Sequence, residues 1–132
     1  MYKKYLNSYV DKLGLDSIDQ SNIFPKYIEI EAYDGCNLNC IMCPLGKDIY
    51  KGGGAIDMSL FRKIVSQLEN YKDWINNVCL SRNGEPLLNK HVPEMIKLLK
   101  DIGIKRVNFS TNGTALTDKT SRKLIESGLD EI

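Results

Sequence analysis

Three short runs of β-forming residues, Tyr27–Tyr33, Asn77–Ser81 and Arg106–Ser110, are each followed by a stretch whose apolar residues recur at helical spacing. Strands alternating with helices build βαβ units and a parallel sheet, because a parallel return needs a crossover long enough to hold a helix. The first run alternates with period two, which predicts a strand with Ile28, Ile30 and Ala32 on one face and Glu29 and Glu31 on the other. Asp57 or Ser59 can cap a following helix whose apolar face is Phe61, Ile64, Val65 and Leu68. Asn89 is the expected cap of the next helix, with Pro93 in its first turn and Val92, Met95, Ile96 and Leu99 facing inward until Gly103 ends it. A further helix is predicted from about Asp118 to Glu126, stopped at Gly128, and Leu129–Ile132 reads as the lead into a fourth strand.

Ahead of this alternation, Tyr2, Tyr5, Leu6, Tyr9, Val10 and Leu13 form one helical stripe ending at Gly14, and residues 15–26 read as a polar linker containing Pro25. The organisation expected is an N-terminal helix and linker over residues 1–26 and one α/β domain over 27–132. With 18 basic and 17 acidic residues the net charge is +1, which leaves no electrostatic footprint for nucleic acid or an anionic membrane surface. No apolar run is long enough to span a bilayer, and the first ten residues contain no hydrophobic signal core. The expected compartment is the cytoplasm.

Chemistry concentrates in Cys36-Asn-Leu-Asn-Cys40-Ile-Met-Cys43-Pro44. Three thiols within eight residues suit ligation better than cross-linking distant loops, and thiolates are soft donors for iron–sulfur clusters or zinc. Three ligands on a four-iron cubane leave one iron open to a substrate or cofactor. A structural zinc site would instead recruit Cys79 or His91 as fourth ligand, although zinc sites commonly use two separate cysteine pairs. The segment follows the first strand, at the sheet edge where α/β proteins assemble their sites. Lys51-Gly-Gly-Gly54 lacks the Lys-Ser/Thr pair of a phosphate-binding loop and reads as a flexible stretch.

The spacing Cys36-x3-Cys40-x2-Cys43 directly after a first strand resembles the cluster motif of the radical S-adenosylmethionine (radical SAM) enzymes. Asn83-Gly-Glu-Pro-Leu-Leu-Asn89 resembles that family's Gly-Gly-Glu-Pro-type turn, and Ser110-Thr-Asn-Gly-Thr114 its Thr-Asn-Gly segment. Ser127–Ile132 is similar to the lead into its fourth strand. The resemblance implies the first three βα units of a partial TIM-type (βα)6 barrel, incomplete at its C-terminus. It also implies a 4Fe–4S cluster on Cys36, Cys40 and Cys43, with S-adenosylmethionine (SAM) contacted by Gly84, Glu85, Thr111 and Asn112. Glu85 would offer its carboxylate to the SAM ammonium, and Gly84 would allow close backbone approach. The implied activity is reductive cleavage of SAM to a 5′-deoxyadenosyl radical that abstracts hydrogen from an unidentified substrate, fed by a donor such as flavodoxin or ferredoxin. Met42 before Cys43-Pro44, where many members carry an aromatic residue, resembles the subgroup with a SPASM or twitch extension. A metal-binding module, holding structural zinc or an electron-transfer cluster without catalysis, is the competing reading.

Plainer roles stand beside these. Cys79, between Val78 and Leu80, reads as a core residue, and His91 as a solvated or capping one. Thr111-Asn112-Gly113 is equally good turn chemistry. Glu29 and Glu31 suit either a polar barrel interior or a face in water.

Overall fold

The computed structural model describes residues 24–43, Leu45 and residues 53–132. The N-terminal helix expected over Tyr2–Leu13, the linker up to residue 23 and the first half of the Lys51–Gly54 stretch lie outside the described residues.

Strand β1 (Tyr27–Glu29), β4 (Asn77–Cys79) and β5 (Val107–Asn108) form a parallel sheet in the order β1-β4-β5. Ile28 stands opposite Val78, and Val78 opposite Val107. A parallel bridge from Asn108 to Glu131 begins a fourth position where the sequence led toward one. Three helices connect and flank these strands: α1 (Met58–Leu68), α2 (Val92–Asp101) and α3 (Asp118–Glu126). A short antiparallel pair, β2 (Tyr33–Asp34) with β3 (Gly54–Ala55), sits beside them.

The expected strand over residues 27–33 is therefore divided. Ile30 and Ala32 still donate to the Cys79 and Leu80 carbonyls, at 2.8 and 3.4 Å. The Ala32 carbonyl, however, accepts from Ile56 N–H at 3.2 Å and the Asn89 amide at 2.8 Å, so the chain beyond it follows new partners away from β4. Strand boundaries here are set by which backbone is in reach.

The helices follow their sequence patterns closely. Asp57 caps α1, accepting from Ser59 and Leu60 N–H at 2.9 and 3.0 Å. Phe61, Val65 and Leu68 on α1, and Val92, Met95, Ile96 and Leu99 on α2, are buried against Val78 and Val107. Each such side chain contributes about 1.5–3 kcal/mol on burial. Thr117 caps α3, and Gly103 and Gly128 take positive φ just past α2 and α3. Asn89 is not the α2 cap: His91 holds that position without a capping side chain. Asn89 turns inward instead, accepting from His91 N–H at 2.9 Å and donating to Ala32.

Core packing occupies one face of the sheet. On the other face Glu29 is exposed and Asn77, Cys79 and Asn108 are half-buried, with the Asn77 amide donating to Asn108 at 3.1 Å. Cys79 thus lies on the polar face, its Sγ 3.3 Å from the Ser81 carbonyl, and does not join the core; the parity fixed by Val78 and Leu80 puts it there. Among the described residues no helix is long and apolar enough to cross a membrane.

Two features give direct tests of this packing. A Cβ on Gly84 would come within 1.8 Å of the Tyr33 carbonyl oxygen, so the 82–85 turn is seated hard against the end of the first strand segment. Gly84→Ala is expected to destabilise the chain by at least ~1–3 kcal/mol in denaturant titration. Gly53→Ala, whose nearest contact would be 3.6 Å, should stay within ~0.5 kcal/mol of wild type. Equal effects would contradict the close seating.

The second feature is Asp130. Partial burial works against its charge, yet the Lys100 hydrogen bond, the Val107 N–H and the Lys100 and Arg106 charges together hold its carboxyl below the ordinary aspartate range. Its stabilising contribution is complete above the unfolded value of 3.8 and is lost as pH falls through the lowered native value. Asp130→Asn should therefore melt below wild type at neutral pH, with the gap closing in acid below that value. A gap independent of pH would exclude this role.

Candidate functional site

Three loops leave the C-terminal ends of the parallel strands: Gly35–Cys43 beyond β1 and β2, Ser81–Glu85 after β4, and Ser110–Thr114 after β5. They enclose one cleft of about 300 Å³. Cys36, Cys40 and Cys43 border it, together with Gly84, Glu85, Thr111 and Asn112. The three cysteines of the motif and the four residues expected around SAM thus border one place. Cys79 and His91, weighed above as a fourth zinc ligand, do not border the cleft.

Carboxylates join the loops. Glu31, on the polar face, accepts from three consecutive backbone N–H groups: Arg82 at 3.3 Å, Asn83 at 3.0 Å and Gly84 at 3.1 Å. Its neighbour Glu29 stays exposed, 3.9 Å from Arg82. The sequence left the two glutamates undivided. Only the alternation of a carboxylate on the polar face of the cysteine-bearing segment hinted at Glu31, because its partners lie more than fifty residues away.

Glu85 makes the next link. It is 2% exposed, and its Oε1 accepts from Leu87 N–H at 2.9 Å and the Thr111 hydroxyl at 2.7 Å. Oε2 accepts from Asn112 N–H at 2.7 Å. Hydrogen bonds to a charged group are worth about 1.5–3 kcal/mol each, so this carboxylate is a strong brace between the second and third loops. An ionised carboxylate offers about four acceptor positions, so roughly one remains for a ligand. Glu85 N–H in turn donates to the Gly35 carbonyl at 2.8 Å, fixing the turn to the cysteine loop.

Within the cysteine loop, Cys43 N–H closes on the Cys40 carbonyl at 3.0 Å, while Cys36 Sγ accepts from Leu38 N–H at 3.5 Å. All four cysteines are free. Among the described residues no three Cys, His, Asp or Glu side chains are drawn close enough to form a metal-binding group. The thiols border the cleft as separate donors. As a donor set they fit a thiolate-ligated cluster: three soft ligands, no competing histidine, and N–H groups directed at one sulfur.

Comparison with known proteins shows the family. The family model of the radical SAM superfamily matches residues 30–132. The chain is 32% identical over 105 residues to the tungsten-containing aldehyde ferredoxin oxidoreductase cofactor-modifying protein of Pyrococcus furiosus, a match covering 80% of this chain and 29% of that protein. It is 30% identical over 105 residues to the S-adenosyl-L-methionine-dependent 2-deoxy-scyllo-inosamine dehydrogenase of Niallia circulans, covering 79% of this chain and 42% of that protein. The crystal structure of BtrN in complex with AdoMet and 2-DOIA superposes with a TM-score of 0.71 at 30% identity, over 79% of this chain and 42% of that one. The chain spans less than half the length of each of these relatives. With the motif-bearing loops gathered on one cleft and a family match across nearly all of the α/β region, the chain belongs to the radical SAM superfamily, whose cofactors are a 4Fe–4S cluster and SAM.

Proposed function

We propose that residues 27–132 are the first three βα units of a radical SAM core barrel, a (βα)6 partial TIM-type architecture, with residues 1–26 as a separate helix and linker. Cys36, Cys40 and Cys43 are proposed to hold the 4Fe–4S cluster, and the rim of Gly84, Glu85, Thr111 and Asn112 to bind SAM. A cluster held by Cys36, Cys40 and Cys43 would supply one electron to bound SAM, breaking its S–C5′ bond to leave methionine and a 5′-deoxyadenosyl radical able to take hydrogen from a substrate. The observation that carries this reading is that one cleft is bordered by three thiols from one loop and by two turns from separate strands.

The chain's own residues have the remaining work. The main chain of residues 82–84, pinned by Glu31, presents a fixed rim against which the methionine end of SAM can lie. Glu85 places a buried negative charge beneath that rim, which favours a cationic ligand group such as an ammonium. Thr111 is held in place by its hydroxyl bond to Glu85, and Asn112 by its backbone bond to the same carboxylate. Substrate selection is left to the polar sheet face and to a SPASM or twitch extension of the kind Met42 suggests. Free thiols suit a reducing cytoplasm, where a flavodoxin or ferredoxin would supply electrons.

Anaerobic reconstitution with iron and sulfide, then dithionite reduction with SAM, tests the proposal. The expected result is a brown protein that releases 5′-deoxyadenosine, and a colourless one after combined Cys36→Ala, Cys40→Ala and Cys43→Ala substitution. Cluster content that survives the triple substitution would overturn the ligand assignment. A brown protein that releases no 5′-deoxyadenosine would keep the cluster and reject SAM cleavage by these residues alone.

A further inference from the structure

Asn112 is the residue whose side chain is most fully engaged with the cysteine loop. Its Nδ2 lies 3.5 Å from Cys36 Sγ and 2.9 Å from Asn37 Oδ1, across a separation of 76 residues from the cysteine. The orientation of this amide is fixed by chemistry. Its Oδ1 accepts from Thr114 N–H at 2.9 Å, and a backbone N–H can only donate, so the NH₂ end must face the sulfur. The Thr114 hydroxyl adds a second bond to the same oxygen at 2.7 Å. Asn37 Nδ2 donates to Thr114 at 2.7 Å, closing a ring between the first and third loops.

With both amide hydrogens and the carbonyl oxygen in use, the Asn112 side chain serves the loops, and its part in the SAM rim proposed above falls to its main chain. We infer that Asn112 is a positioning residue for Cys36, donating an N–H···S bond that sets how readily a cluster on that sulfur accepts an electron. The inference rests on the cluster assignment proposed above. Leu38 N–H also reaches Cys36 Sγ, but it belongs to the loop itself; the Asn112 donor arrives from a different strand. Among the described residues, no comparable donor reaches Cys40 or Cys43 Sγ. Hydrogen bonds to ligating sulfur stabilise the additional negative charge of the reduced cluster, and so raise its reduction potential.

The backbone makes the test clean, since Asn112 N–H is held by Glu85 whatever side chain follows. Wild type, Asn112→Leu, Asn112→Ala and Asn37→Ala are reconstituted, and iron and sulfide content is measured before the midpoint potential is read by redox titration with electron paramagnetic resonance. Asn37→Ala removes two tethers between the loops and leaves the Asn112 donor to Cys36 in place. The expected result is a normally loaded cluster throughout, with a lower midpoint potential in both Asn112 variants and a wild-type potential in Asn37→Ala. Unchanged potentials in the Asn112 variants, or an equal drop in Asn37→Ala, would overturn the inference while leaving the cluster assignment intact. Absence of a cluster in the wild-type chain would overturn the assignment, and the inference with it.

Discussion

The site depends on a contact with no room in it. Gly84 places its backbone where any side chain would overlap the Tyr33 carbonyl, so the turn after β4 and the end of the first strand segment are in direct main-chain contact. Glu31 reinforces the seat from one side by gathering three N–H groups of the turn, and Glu85 extends it from the other to the loop after β5. From there Asn112 reaches back to the cysteine loop. Three segments far apart in sequence become one rigid rim, each held by bonds to a different neighbour. Gly84 therefore serves close packing within the protein itself, in addition to any approach of a ligand.

Much of the fold was legible because its signals are local. The last helix, expected from about Asp118 to Glu126, takes those bounds, and the residues that start and stop it, Thr117 and Gly128, lie within its own flanks. The inward faces of α1 and α2 followed from spacing alone. Strand limits were less legible, because Ala32 and Tyr33 choose between β4 and the 54–56 segment by proximity that no local pattern encodes. Asn89 misled for a related reason. Its side chain does serve a helix start, but from outside the capping position, and it is drawn inward by the carbonyl of a residue 57 positions away.

The candidate site divides along the same line. The cysteines, Gly84 and Glu85 stand in motifs, and the structure gathers them around one cleft with Thr111 and Asn112. What spacing did not reveal is how those residues are held. Glu31 looked like one of two equivalent glutamates until the turn it grips was in place, and Cys79 looked apolar until its strand's parity put it beside Ser81. Motifs mark the groups proposed to meet a ligand; hydrogen bonds such as those of Glu31 hold them in ways that exist only in three dimensions.

Glu31 has one more consequence. It holds the turn entirely through main-chain N–H groups, which every residue except proline possesses. The side chains of Arg82 and Asn83 are exposed and take no part in that grip. The grip on the cleft rim is thus open to any amino acid other than proline at those two positions. A lineage built on this scaffold can exchange them to suit new molecules at the rim without reshaping the wall behind them.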